Sequence, residues 1–325
     1  MTSKEIVKKA VLFQRPERIP LELPSPYQND FIRFGVDAQP GWKPIEEGAD
    51  EWFCVWEKVS NDLTMGQVKK HPLTDYSMLS SFKFPDYDVP ERYLQAKELI
   101  KNNKDNKFLL ANHPVNFIHR LEYLRGYENA YTDPYEHPEE LNILLDKFCE
   151  MAMDSVKHFA EIGADGIISA DDWGLQDRPL FSKEIFCKFF KPRYKKVYDL
   201  AHKYGMLTFL HSCGYIIDLL DDFIDMGVDV IEMHQQVNMG VENLSNRFGG
   251  RLCFMCPVDI QNVMIKGTID DVVAYAKKLI KEFGKYNGGF IAQWYAAPDA
   301  VGHEWGKINA MCETFVKYGK YPLNI

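Results

Sequence analysis

From residue 107 onward the chain alternates short apolar runs with longer amphipathic ones, and this rhythm restricts the fold more than any other feature. The short runs are KFLLANH (107–113), DGIISADD (165–172), LTFLHSC (207–213), VDVIEMH (228–234), RLCFMC (251–256) and GGFIAQWY (288–295). Runs this short and this uniformly apolar fit strands buried on both faces, as in a parallel sheet. The segments between them carry helical spacing, clearest over 137–162, 182–204, 215–226, 268–284 and 302–317. Strand and helix in alternation give βαβ units. RIPLEL (18–23) reads as a first strand, and DEWFCVW (50–56) supplies a further one. About eight strands close most economically as an α/β (β/α)8 TIM barrel. An open doubly wound sheet is the runner-up, and the chain lacks the glycine-rich dinucleotide fingerprint expected of it. Residues 24–90, rich in Pro, Trp and polar residues, read as an N-terminal insertion or lid over the barrel mouth. No shift in composition divides residues 1–325, so a single domain is expected.

Net charge decides what the chain does not bind. At −9, with basic residues clustered only briefly around Lys191, Arg193, Lys195 and Lys196, it is a poor match for nucleic acid, whose phosphates demand concentrated Lys and Arg. Nowhere is there a run of about 18 apolar residues, so no membrane span is expected. The N-terminal stretch has no apolar core of signal-peptide length. These readings point to the cytoplasm. The seven cysteines are then reduced thiols, free to be core residues or metal ligands.

In a barrel the chemistry sits at the carboxyl ends of the strands. Those ends carry His113, Asp171, Asp172, His211, Cys213, Glu232, His234, Cys256 and Gln293 to Tyr295, while the strand middles are nearly apolar. Residues i and i+2 of a strand face one way, so His211 and Cys213 point together, and Gly214 allows a sharp turn behind them. Imidazole and thiolate together suit zinc. Glu232 ends the next strand, about 4.8 Å away, within reach of the same ion; Cys256 is a further or alternative ligand. Against this stands the plain reading that a buried His and Cys are core residues, and the residues alone leave both open. Adjacent carboxylates on a strand point oppositely, so Asp171 is assigned a structural role, capping the following turn or pairing with Arg178. Asp172 is left as a candidate acid or base. Tyr27, Trp173, Gln293, Trp294 and Tyr295 are candidates to wall a substrate.

These segments together resemble the uroporphyrinogen decarboxylase superfamily, and within it the corrinoid-dependent methyltransferases. The resemblance runs through RPERIP (15–20), DEWFCVW (50–56), LEYLRGYEN (121–129), GADGIISADDWGLQ (163–176), FFKPRYKK (189–196), HSCG (211–214), PVDIQNV (257–263) and GGFI (288–291). It implies a (β/α)8 barrel. The decarboxylases proper use arginine on the first strand to hold a substrate rich in carboxylates, and RIPLELPSPYQND (18–30) has no such cluster after Arg18. The methyltransferases carry zinc on His-x-Cys and a late cysteine. His211 and Cys213 match the pair, whereas AQWYAAPD (292–299) lacks the cysteine. Cobalamin-independent methionine synthase, a more distant barrel, uses a glutamate on the strand after His-x-Cys, which Glu232 resembles. The resemblance therefore implies zinc on His211, Cys213 and Glu232; Asp172, from its strand end, and Glu232 are the candidate catalytic residues. The implied reaction moves methyl from a small methylated substrate, such as a methoxylated aromatic undergoing O-demethylation, to a corrinoid cobalt. No Asp-x-His-x-x-Gly corrinoid segment is present, so the resemblance also implies a separate corrinoid protein as partner. The reverse half-reaction, from methylcorrinoid to a thiol or folate, a uroporphyrinogen-type decarboxylation, and a ligand-binding barrel without turnover are the alternatives. Barrels of this size commonly associate, so a homo-oligomer is expected.

Overall fold

The computed structural model describes residues 1–58 and 66–325. The described strands are β1 (Leu21–Glu22), β2 (Phe31–Phe34), β3 (Val55–Glu57), β4 (Gln67–Lys70), β5 (Phe108–Asn112), β6 (Gly166–Ala170), β7 (Leu207–His211), β8 (Val230–Glu232), β9 (Cys253–Cys256) and β10 (Phe290–Gln293). Eight of them form one sheet in the order β1-β10-β9-β8-β7-β6-β5-β2, and every ladder in it is parallel. With helices between successive barrel strands from β2 onward, this is the expected (β/α)8 barrel.

The seam between β1 and β2 is closed by a side chain. Asp30 N–H donates to the Leu21 carbonyl at 2.7 Å, and Leu21 N–H donates to Asp30 Oδ2 at 2.7 Å. Arg18 clamps the same carboxylate through both terminal nitrogens, each at 2.7 Å. A fork of this kind fixes direction as well as distance, which suits a joint with no ladder.

Side-chain alternation divides the strands into two faces. Phe31, Phe108, Leu110, Ile168, Phe209, Val230, Cys253, Met255 and Ile291 point inward and form one buried cluster. Val7 and Val11, from the helix Ser3–Val11, join it and stopper the amino-terminal end. Lys4 and Lys8 tie that helix to Asp165 at 3.0 and 3.1 Å. The outward residues Ile167, Leu210, Ile231, Phe254 and Ala292 belong to the larger core beneath the helices. Two residues beyond the apolar inward row, the same face carries Glu22, Arg33, His211, Glu232 and Gln293.

Local chemistry sets the helix ends. Pro138–Ile162 opens on proline and closes on Gly163 at φ 92°, the left-handed stop that favours glycine. Ile269–Gly284 begins with a reciprocal Thr268–Asp271 capping box, which satisfies otherwise unpaired N–H groups. The expected 182–204 helix is Lys183–Ile185, a π turn over Phe186–Phe190, then Lys191–Lys203. Of 215–226 only Leu220–Asp225 is helical, because the chain first turns at Gly214. The last helix is Trp305–Tyr318.

The N-terminal region departs from the sequence reading in two ways. Residues 50–56 give no barrel strand: β3 pairs antiparallel with β4 in a ribbon outside the barrel. The barrel strand is instead β2, inside the stretch read as an insertion. The described part of 35–90 packs on the flank, and residues 59–65 lie outside the described residues. Trp52 is buried against Phe84, Tyr87 and Phe148, with the Arg120 guanidinium over its ring. It is an insertion beside the helices Phe117–Arg125 and Pro138–Ile162, and the described part of 35–90 supplies no residue to the cleft at the mouth. Among the described residues no helix is long and apolar enough to cross a membrane, and all seven cysteines are free.

Candidate metal centre

β7 and β8 pair in register, His211 opposite Glu232. Beyond these last rungs each chain carries one more ligand-type residue on the same side, Cys213 and His234. His211, Cys213 and His234 each offer one atom to a group lying within 4.8 Å of one another. Cys213 Sγ is 3.5 Å from His211 Nε2 and 4.0 Å from His234 Nδ1. A tetrahedral zinc with ordinary Zn–N and Zn–S lengths spaces its ligands by roughly 3.5 Å. Donor types and spacings therefore both fit a zinc ion.

Glu232 stands behind this cluster. Its Oε2 lies 3.2 Å from His211 Nδ1. A carboxylate on one ring nitrogen orients the imidazole and leaves the other nitrogen free to ligate. The sequence reading made Glu232 a ligand; the three atoms brought together belong to His211, Cys213 and His234. Cys256 does not approach them. It is fully buried in the outer core, on the opposite face of β9 from Met255, and burial pushes its thiol well up.

The Glu232 carboxylate is held on several sides. Arg33 Nη2 donates to its Oε1 at 2.7 Å and to Glu22 Oε2 at 2.8 Å, while Arg33 Nε donates to Glu22 Oε1 at 2.7 Å. Gln293 Nε2 donates to Glu232 Oε1 and, at 3.3 Å, to Glu22 Oε2. Burial would raise the Glu232 carboxyl, but Arg33 and His211 hold it well below the usual range. Burial likewise works against a charged His211, and its bonds to Cys213 and Glu232 outweigh it, raising the ring well above 6.5. His234 is pushed down to about 4 by burial and by its neighbour His211, which keeps a neutral ring of the kind that binds metal.

The cluster contributes a residue to each of two clefts, His234 to one and Cys213 to the other. One, of about 540 Å³, is lined by Glu22, Arg33, Glu232, His234, Gln293 and Tyr295 among others. The other, of about 470 Å³, is lined by Asp172, Leu175, Arg178, Cys213, Gly214 and Gln235 among others. Close backbone contact fixes the second. At Gly214, φ is 81° and an added Cβ would collide with the Gly174 carbonyl, so glycine lets the 174–175 and 213–215 loops touch.

Asp172 lies at this edge. Its Oδ1 accepts from Cys213 N–H at 2.8 Å and is 3.6 Å from His211 Nε2. On its other side is His119, 3.9 Å away and bonded to Glu122 at 2.9 Å. Asp171 has a structural role of a different kind from that expected. It accepts from Phe117 and His119 N–H at 2.7 and 2.9 Å and from the Tyr194 hydroxyl, so it caps the helix Phe117–Arg125. Arg178 pairs with Asp177 instead.

Two of the expected cleft residues lie elsewhere. Trp173 is fully buried against Phe186 and Phe190, each 4.8 Å away, and walls no ligand. The Tyr27 hydroxyl donates to Asn309 on the last helix at 3.3 Å, away from the cleft lining. Gln293, Trp294 and Tyr295 do line the cleft. His113 is structural: its nitrogens meet the Val115 and Ala152 carbonyls at 2.9 and 3.2 Å. Arg33 and His234 are the residues that reading the sequence did not assign. For His234 a signal was present, since Glu232-x-His234 repeats the spacing of His211-x-Cys213.

A family model described as uroporphyrinogen decarboxylase (URO-D) matches residues 111–296, the span from β5 to just past β10. The chain belongs to the uroporphyrinogen decarboxylase family. No curated protein sequence matches it. Among solved structures the barrel resembles a methyltransferase from Methanosarcina mazei, with a TM-score of 0.71 and 15% identity over 98% of this chain and 99% of that one. A D-psicose 3-epimerase from Clostridium cellulolyticum H10 aligns at TM-score 0.43 and 12% identity, over 77% of this chain and 88% of that one. The likeness to the methyltransferase is one of fold, and within the family the fold is compatible with more than one chemistry.

Proposed function

We propose that this protein is a zinc-dependent methyltransferase that moves a methyl group from a small methylated substrate, such as a methoxylated aromatic, to the cobalt of a corrinoid carried by a separate protein. The observation that carries the reading is the His211–Cys213–His234 cluster at the carboxyl end of the barrel, whose residues line two clefts. Methyl transfer is an in-line displacement, so donor and acceptor approach the carbon from opposite sides. A centre open to two clefts suits that requirement. The whole-chain likeness in fold to a methyltransferase agrees with it.

His211, Cys213 and His234 would hold the zinc. When bound, the ion would act as a Lewis acid on the heteroatom bearing the methyl group. Glu232 orients His211 through Nδ1, and Arg33 with Gln293 keeps Glu232 ionised and stationary. Asp172, half-exposed and within 3.6 Å of His211, is positioned to pass a proton to a departing oxygen. A thiolate ligand needs a reducing setting, consistent with a cytoplasmic protein. The ring at the mouth also weighs against a uroporphyrinogen-type decarboxylation: its guanidinium, Arg33, is already paired with Glu22 and Glu232 and is not free to gather the carboxylates of such a substrate.

The test is turnover by the metal-loaded protein with 2-methoxyphenol and reduced cobalamin as surrogate acceptor. Methylcobalamin and catechol in equal amounts are expected. Decarboxylation of a porphyrinogen, or full activity after zinc is removed, would overturn the proposal.

A further inference from the structure

Glu122 is a buried carboxylate that the proposed reaction does not use. It is 5% exposed, and both of its oxygens are engaged. Oε1 accepts from the Tyr131 hydroxyl at 2.7 Å, and Oε2 lies 2.9 Å from His119 Nδ1. A carboxylate only accepts, so His119 Nδ1 carries a hydrogen. The two residues stand three apart on the helix Phe117–Arg125, a spacing that brings side chains together. Tyr123, one turn beyond His119, lies parallel to the imidazole, with 5.9 Å between centroids and 8° between planes. Trp56 of β3 meets the Tyr123 ring in turn at 4.8 Å. The His119 ring is therefore fixed in plane by its stack and in rotation by Glu122.

That leaves Nε2, and it faces Asp172. The Asp172 backbone nitrogen is 3.3 Å away and Oδ2 3.9 Å away. An unprotonated Nε2 accepts from the backbone N–H, and a protonated one attracts the carboxylate; either contact anchors the same residue. Burial opposes a charge on His119, but the bond to Glu122 and the nearby carboxylates of Asp171 and Asp172 outweigh it and raise the ring to about 9. Asp172 has need of an anchor. Its side chain is 43% exposed, and Oδ1 is occupied by the Cys213 N–H at 2.8 Å, which leaves Oδ2 otherwise free to turn. We propose that His119 is a positioning residue that, braced by Glu122 and Tyr123, holds Asp172 through Nε2 at the edge of the metal centre. The consequence for turnover rests on the methyltransferase reading, in which Asp172 serves the departing oxygen; the anchorage itself does not.

The experiment compares His119→Gln with His119→Asn in the metal-loaded protein. A glutamine amide places its nitrogen near the lost Nε2, and an asparagine amide near the lost Nδ1. Gln therefore keeps a donor for Asp172, whereas Asn keeps only a partner for Glu122. With 2-methoxyphenol and reduced cobalamin, His119→Asn is expected to lower kcat at least about tenfold more than His119→Gln does, at similar KM and equal zinc content. A side chain that merely packs the helix would make the two variants alike. The second arm needs no turnover: nitrogen-15 NMR follows the titration of the His119 ring in the wild type and in Asp172→Asn. Removing the Asp172 charge, with Glu122 and Asp171 still in place, should lower the midpoint by about one unit. Equal kcat in the two His119 variants, or a midpoint unmoved in Asp172→Asn, would overturn the inference. If the wild type itself transfers no methyl group, the methyltransferase reading fails while the NMR arm still decides the anchorage.

Discussion

The inside of this barrel is two different environments one step apart. Around Phe31, Phe108, Phe209 and Ile291 it is dry and aromatic, stoppered by Val7 and Val11. Two residues further along the same strands, on the same face, stand Arg33, His211, Glu232 and Gln293. The lower layer has no chemistry to offer, and the upper ring has little apolar surface to bury. One strand therefore serves stability and function in sequence, with a rise of about 6–7 Å between them. The polar ring is held by its own ion pairs and by the rigid layer beneath it.

Substitutions can break that division. Phe209→Ala, in the lower layer, should have the largest effect on stability. Its ring meets Phe31 and Phe108 at 6.5 and 5.8 Å, and removing it should cost about 3–5 kcal/mol in denaturant unfolding, while protein that remains folded keeps its metal. A loss below about 1 kcal/mol would mean that the lower layer does not carry the stability of the barrel. Next comes Arg33→Met in the upper ring, which strands Glu22 and Glu232 as unpaired charges. A cost of about 3 kcal/mol is expected, and adding Glu232→Gln should recover part of it; additive losses would deny that the two act as one unit.

A polar group near the mouth need not belong to the ring, and His113 sharpens this point. Burial lowers it to about 4. The unfolded chain therefore takes up a proton near pH 6.5 that the folded protein refuses until about pH 4. Stability contributed by the neutral ring is present above pH 6.5 and falls as pH drops through this window, by about 3 kcal/mol at most. His113→Gln should flatten that limb in urea titrations taken at several pH values. An unchanged slope would assign the acid sensitivity to other groups.

The sequence made the parallel strands legible because burial on both faces leaves no alternation to misread. β2 escaped because FIRF is short, and Arg33 at its centre looks like a surface residue until the pairing with Glu22 and Glu232 is seen. The His211–Cys213 pair could be read from a period of two. Its third member could not be read as easily, because a register argument selects the rung opposite His211, which is Glu232. Beyond the last rung it is His234 that meets the thiol. Trp173 shows the same limit: three residues past β6, nothing in its identity says that it folds outward onto Phe186 and Phe190.

The most direct test of the account is the zinc content of three variants, His234→Ala, Cys213→Ala and Glu232→Gln, measured beside the wild type. The account expects one zinc per chain in the wild type and none in His234→Ala or Cys213→Ala. Glu232→Gln should retain zinc with an affinity weakened by about 10–100-fold. Full zinc in His234→Ala, with zinc lost from Glu232→Gln, would contradict it and return the third ligand to Glu232.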